Sequence, residues 1–222
     1  MTRREFISGA VAASSCRLTA RPVRSLIGGR IVEDDSVHLP YDAEIEYLES
    51  TGTQWIDTGL KWDCSGDIQC RFSFATLRSV ARAVFGYSVD STFSVYSNGS
   101  QLIAANGSWV GYVNWKNAVY VGSMFDFSLA ERKVINVGTQ EYKTFIGSND
   151  AVSSTTVSLF HFGGRYYGDG IRIHSYSCIS QGDRIDLIPV RVGAVGYMYD
   201  KISGVLFEGR GTGNFVLGPD VN

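Results

Sequence analysis

Three glutamates stand close together near the start of the apolar-rich part of the chain: Glu44, Glu46 and Glu49, at i, i+2 and i+5. Two carboxyl groups about 5 Å apart can cleave a glycosidic bond with retention, one as nucleophile and one as acid, and a bulged strand can place them so. An outward-facing acidic edge strand accounts for the same residues, because edge charges block sheet-to-sheet association. A different chemistry lies in the rings. Trp109, Tyr112 and Trp115 fall in a polar, glycine-bearing stretch with Asn106, Asn114 and Asn117. Ring faces stack on sugar C–H groups while amides bind hydroxyls, so Trp109, Tyr112, Asn114 and Trp115 make a candidate carbohydrate platform. Tyr166, Tyr167 and Asp169, within Arg165-Tyr166-Tyr167-Gly168-Asp169, make a second one on an aromatic loop with a charged tip. The plainer role for both tryptophans is to plug a sandwich edge, since aromatics more often fill cores than line binding sites.

Other chemistries find little footing. His38, His161 and His174 have no metal-ligand spacing, and His161 lies in an apolar run that favours a hydrogen-bonded core role. Calcium would want clustered oxygens such as those of Asn149, Asp150, Asp169 or Asp183, but their spacing forms no loop signature. No metal and no cofactor are expected. Gly209-Arg210-Gly211-Thr212-Gly213 lacks the following lysine and the helix that phosphate binding requires. No nucleophile elbow occurs either.

The elements that must position these residues are strands. Ile68, Cys70, Phe72 and Phe74 alternate with Gln69, Arg71 and Ser73, which puts apolar side chains on one sheet face and polar ones on the other. Phe125, Phe127 and Leu129 repeat the pattern, as do Ile171 and Ile173. Val157 to Phe162 is nearly continuous, as expected of a strand covered on both faces. Turn signals such as Asn98-Gly99, Gly163-Gly164 and Gln181-Gly182-Asp183 separate these runs. Thr76 to Ala83 is the one helical candidate. Tyr197 and Tyr199, a turn at Asp200 to Gly204, and Val205 to Phe207 predict a terminal hairpin, followed by a last strand at Phe215 to Leu217 that clasps the first. The expected fold is all-β, a two-sheet antiparallel jelly-roll sandwich.

Composition agrees. The 222 residues include 25 Gly and only 4 Pro, with 44% apolar, 13% aromatic and 19% charged residues. That is enough for one large core, and burial on this scale offsets chain entropy. No apolar stretch approaches the roughly 18 residues of a membrane span. The formal charge of −2 hides an asymmetry. Residues 1–30 hold six arginines against Glu5, whereas residues 31–222 hold 14 Lys and Arg against 21 Asp and Glu, a net of −7. An acidic body repels phosphate backbones, which argues against nucleic acid as a partner.

The basic head resembles an export address. Thr2-Arg3-Arg4-Glu5-Phe6-Ile7-Ser8, followed by a modest apolar run, resembles the twin-arginine signal. Residues 1–20 are therefore read as a signal segment, with Leu18-Thr19-Ala20 as one cleavage site. Ala13-Ser14-Ser15-Cys16 resembles a weak lipobox and offers a lipid anchor at Cys16 as the other fate. Residues 21–40, broken by Pro22, Gly28-Gly29 and Pro40, read as a disordered linker, and 41–222 as the sandwich domain. After processing, Cys64, Cys70 and Cys178 remain. A Cys64–Cys70 bridge would close a small loop, but folding before export in the reducing cytosol favours no essential disulfide.

Ala43-Glu44-Ile45-Glu46-Tyr47-Leu48-Glu49-Ser50-Thr51-Gly52-Thr53-Gln54-Trp55-Ile56-Asp57-Thr58-Gly59 resembles the opening of a bacterial and phage-associated family of laminin-G-like, concanavalin A-like jelly-roll domains. Its closing segment is matched by Leu187-Ile188-Pro189-Val190-Arg191, Gly196-Tyr197-Met198-Tyr199-Asp200, Ser203-Gly204, Leu206-Phe207 and Gly211-Thr212-Gly213. The glutamate cluster resembles the E-x-D-x-x-E signature of laminarinase-like glycosidases, with Glu in the middle place and at the start of the domain where those enzymes carry theirs mid-chain. The resemblance implies an exported, non-catalytic module that binds glycan or a surface protein, located in the periplasm, on the cell surface or outside the cell. The alternatives are a structural, adhesin-like or phage-tail-type component, and a glycoside hydrolase using Glu44 and Glu49.

Overall fold

A computed structural model describes residues 24–27, 30–33, 39–61, 66–87, 93–106, 113–144 and 155–221. By contact the chain divides into two units, Met1–Leu39 and Pro40–Asn222. In the first, β1 (Arg24–Ile27) and β2 (Arg30–Glu33) pair antiparallel with Ile27 opposite Arg30.

The second unit comprises β3 (Ala43–Glu44), β4 (Leu48–Ser50), β5 (Gln54–Lys61), β6 (Asp67–Phe74), β7 (Ala81–Tyr87), β8 (Phe93–Asn98), β9 (Gln101–Asn106) and β10 (Val113–Trp115). It continues with β11 (Met124–Ser128), β12 (Lys133–Asn136), β13 (Tyr142–Thr144), β14 (Thr156–Leu159), β15 (His161–Phe162), β16 (Tyr166–Tyr167) and β17 (Ile171–Ser180). The chain ends through β18 (Asp183–Val192), β19 (Val195–Asp200), β20 (Leu206–Glu208), β21 (Arg210–Gly211) and β22 (Val216–Leu217). One sheet of seven strands runs β10-β9-β8-β7-β14-β5-β21. An eleven-stranded sheet runs β13-β12-β11-β6-β17-β18-β19-β20, with β4, β22 and β3 attached at β17 and β18. The two antiparallel sheets pack face to face as a β-sandwich, and no helix occurs among the described residues.

Alternation decides which side chains meet. Phe72, Phe125, Phe127, Ile173 and Tyr176 point inward from the larger sheet, and Ile56, Phe85, Phe93, Val95 and Leu159 from the smaller. Phe85 packs edge-on against Phe127 at 5.4 Å and against Tyr176 at 5.7 Å, so rings from both sheets interlock. Cys70 and Cys178 lie in this core as buried thiols, small apolar fillers on neighbouring strands. The terminal hairpin forms as expected, with Tyr199 opposite Leu206. Its turn is held by Asp200, whose carboxylate accepts from the amides of Asp186, Ile202 and Ser203. The ends clasp: β22 pairs with β4, Ile45 bridges Asp220, and Arg191 grips Asp220 through two bonds of 2.7 Å.

Two expectations fail for tertiary reasons. Thr76 to Ala83 forms no helix; Ala81 begins β7, which is inserted between β14 and β8 and buried along most of its length. Pairing on both sides outweighs the weak local preference. The run Val157 to Phe162 is not one strand. Phe160 takes φ +63°, rare for a bulky residue, and its amide donates to the Val84 carbonyl. The chain there leaves the smaller sheet and continues as the short β15–β16 hairpin.

Candidate functional site

Strand β5 alternates: Ile56 enters the core, so Trp55 and Asp57 face outward from the seven-stranded sheet. Ser158 of β14 lies between the core residues Val157 and Leu159 and opposite Asp57, on that same outer face. Gly86 of β7 is opposite Ser158 in turn. A Cβ on Gly86 would lie 2.7 Å from the Phe162 Cβ, so only glycine lets the β15–β16 hairpin settle against the sheet. The strained Phe160 immediately before the hairpin makes this turn onto the outer face, and strain of this kind costs about 1–3 kcal/mol.

The hairpin completes a band of rings. His161 stacks on Trp55 at 5.2 Å with 30° between the planes, and Tyr167 lies 4.9 Å from His161 with its plane tilted by 44°. A parallel row runs from Tyr166 to Phe162 at 4.8 Å and on to Tyr96 at 5.1 Å. Arg210, brought opposite Trp55 by the β21–β5 pairing, places its guanidinium 5.2 Å from the indole centroid and pairs with Asp57 at 3.3 Å. Cation and ring attract through the ring quadrupole, which orients both. Beside this pair opens a depression of about 390 Å³ lined by Asp57, Leu206, Phe207, Glu208 and Arg210, among others.

His161 is only 6% exposed, yet its Nδ1 has no hydrogen-bond partner, and neither does the buried Ser158 hydroxyl. Burial alone pushes the His161 pKa down, so the ring is neutral near pH 7. This differs from the expected hydrogen-bonded core histidine: the ring belongs to the outer face, held by stacking.

The residues singled out in the sequence fall in different places. Tyr166 and Tyr167 belong to the band, on strands rather than on a loop, and Tyr167 is 37% exposed. Asp169 stands just beyond them, ion-paired with Arg78 at 3.0 Å. Trp115 is a correction. Its side chain is 8% exposed and packs edge-on against Phe125 at 5.9 Å, so it plugs the sandwich edge and offers no open ring face. In β10 it lies opposite Leu102, an inward position, while Asn114 alternates outward and is exposed. The rim beside Trp115 holds a depression of about 500 Å³ with Glu141, Tyr142 and Lys143. Trp109, Tyr112, Arg3, Arg4, Cys16, His38, Cys64, Asn149 and Asp150 lie outside the described residues.

Glu44 accepts a hydrogen bond from the Tyr41 hydroxyl at 3.0 Å, whereas Glu49 is committed to Arg172 at 2.7 Å on a separate strand. Neither lines the depressions above. Among the described residues no group of three or more His, Cys, Asp or Glu is placed to hold a metal ion.

The chain matches no protein-family model and no curated protein.

Trp55, Arg210 and Tyr96 were missed in the sequence as site residues. Trp55 carried a signal, since a tryptophan between two inward positions of a period-two strand must face out, but Arg210 comes from a strand far along the chain.

Proposed function

We infer that the chain is an exported, non-catalytic jelly-roll module that binds carbohydrate on the outer face of its seven-stranded sheet. The observation that carries the reading is the series Arg210, Trp55, His161, Tyr167: ring centroids about 5 Å apart, Trp55 stacked on His161 and Tyr167 tilted against it, with an ion pair at one end. The uncovered parts of Trp55 and Tyr167, with the buried His161 ring holding them in place, suit pyranose C–H surfaces, and the Arg210–Asp57 pair with Glu208 supplies donors and acceptors for hydroxyls. Rings worth about 0.5–1.5 kcal/mol each beyond their area give weak single-site binding, which a multivalent surface strengthens. Export is supported by the Arg3-Arg4 head.

The test is binding to a panel of soluble oligosaccharides by calorimetry. Trp55→Ala and Tyr167→Ala are expected to weaken any binding about tenfold or more, while Arg71→Ala on the opposite sheet leaves it unchanged. Equal affinity in all three variants, or no glycan bound by the wild type, overturns the reading.

A further inference from the structure

Arg82 is the largest fully buried side chain among the described residues, at 1% exposure. A guanidinium does not give up its proton in a protein, so a full positive charge sits there. Its Nη1 donates to the carbonyl oxygens of Thr76 at 2.7 Å and Asp169 at 3.1 Å, and its carbon lies 5.2 Å from the Phe74 ring centroid. These contacts serve one edge of the group. The other edge, the parallel donors Nε and Nη2, is buried without a hydrogen-bond partner. Ser97 stands directly opposite Arg82 across the β7–β8 pair, and its buried hydroxyl also has no partner. Opposed residues share one sheet face with Cβ atoms about 4.5–5.5 Å apart, which puts the Ser97 hydroxyl on the same face as the Arg82 side chain.

The local charge is unbalanced. The carboxylate of Asp169 pairs with Arg78 at 3.0 Å and gives Arg82 only its carbonyl. Two arginines thus share one carboxylate, and the enclosed one keeps the fork that chelates anions.

We propose that Nε and Nη2 of Arg82, with the Ser97 hydroxyl, bind a small monovalent inorganic anion of the size of chloride. The enclosure of the fork excludes sugar phosphates and peptides. The bound anion neutralises Arg82 and, through Nη1, fixes the segments around Thr76 and Asp169 to β7. The aromatic band takes no part, so this site stands or falls apart from carbohydrate binding.

Thermal unfolding of the full chain, with chloride replacing gluconate at constant ionic strength, tests it. The melting temperature rises with chloride and levels off, by roughly 5–10 °C at about a hundred times the dissociation constant. Ser97→Ala shifts the response to higher chloride, and Arg82→Met abolishes it whatever its own melting temperature. Crystals grown in bromide give an independent reading should Arg82→Met fail to fold: an anomalous peak at the Arg82 fork is expected. Identical melting in chloride and gluconate, a chloride response retained in Arg82→Met, or bromide crystals without that peak overturns the proposal.

Discussion

The outer face of the seven-stranded sheet stacks rings, whereas the outer face of the eleven-stranded sheet pairs charges. On the larger sheet Arg71 grips Asp126 through two bonds of 2.7 and 2.8 Å, and Arg172 pairs with Glu49 while lying 4.2 Å from the Tyr47 centroid. A ring nitrogen of His174 lies 2.9 Å from the Ser73 hydroxyl. The depression of about 320 Å³ on this face is lined by Gln69, Arg71, Asp126 and Lys133, among others, and its Asp126 is paired with Arg71. On the smaller sheet His161 Nδ1 and Ser158 Oγ lack partners and the rings remain partly uncovered. Under the carbohydrate binding proposed above, a ligand gains most where surface is apolar and polar groups are unspent.

Three experiments break or sharpen that contrast. The largest effect comes from beneath both faces. Phe127→Ala removes a ring that packs on Phe85 and Phe93 across the sandwich, and urea unfolding is expected to show a loss of about 3–5 kcal/mol. Both faces should fail together; survival of carbohydrate binding in a chain with the larger sheet unfolded would show them to be independent.

A smaller effect follows the two histidines, one on each face. Burial depresses the pKa of His161, and burial, opposed by the Glu46 backbone and assisted by Arg172 and Arg71, depresses that of His174. The unfolded chain then binds more protons below its own histidine value of about 6.5. Stability is fully present above that pH and falls as pH drops through the window down to the folded values. Asp200 does not interfere. Burial would raise its pKa, but the Asp186 amide, the Ser203 hydroxyl and further amides hold it below the usual carboxylate range, so its contribution is lost only in stronger acid. Urea midpoints at pH 7.5 and 5 should therefore differ, and His161→Gln and His174→Gln should each flatten the slope. A slope unchanged in His161→Gln would place the sensitivity on the larger sheet alone.

The smallest effect belongs to the paired charges. Arg71 and Asp126 have side chains 50% and 36% exposed, and Arg71→Ala is expected to cost only about 0–1 kcal/mol. A larger loss in urea unfolding would make the charged face structural and narrow its contrast with the aromatic one.

Much of the fold was legible because its signal is local. The alternation of Ile68 to Phe74 becomes β6, and the spacing around Asp200 to Gly204 becomes the closing hairpin. Burial of one face against solvation of the other acts residue by residue, so it leaves its period in the chain. The candidate site was half legible. Tyr166 and Tyr167 were found as aromatic residues near glycines, but their neighbours Trp55, Tyr96 and Arg210 come from strands far apart in sequence. Trp115 shows the converse error: a tryptophan among asparagines and glycines has the composition of a surface loop, and only its place opposite Leu102 turns it inward.

From the sequence alone came the all-β class, the strands with clear alternation, the hairpin ends and the basic head, since each depends on neighbours within a few positions. The tertiary structure decided which rings stay uncovered, which charges are spent on one another and which arginine is left buried with two donors unpaired. Those outcomes depend on sheet order and register. Pairing β21 with β5, seating β15 against Gly86 and setting Arg82 opposite Ser97 join residues that no local period connects.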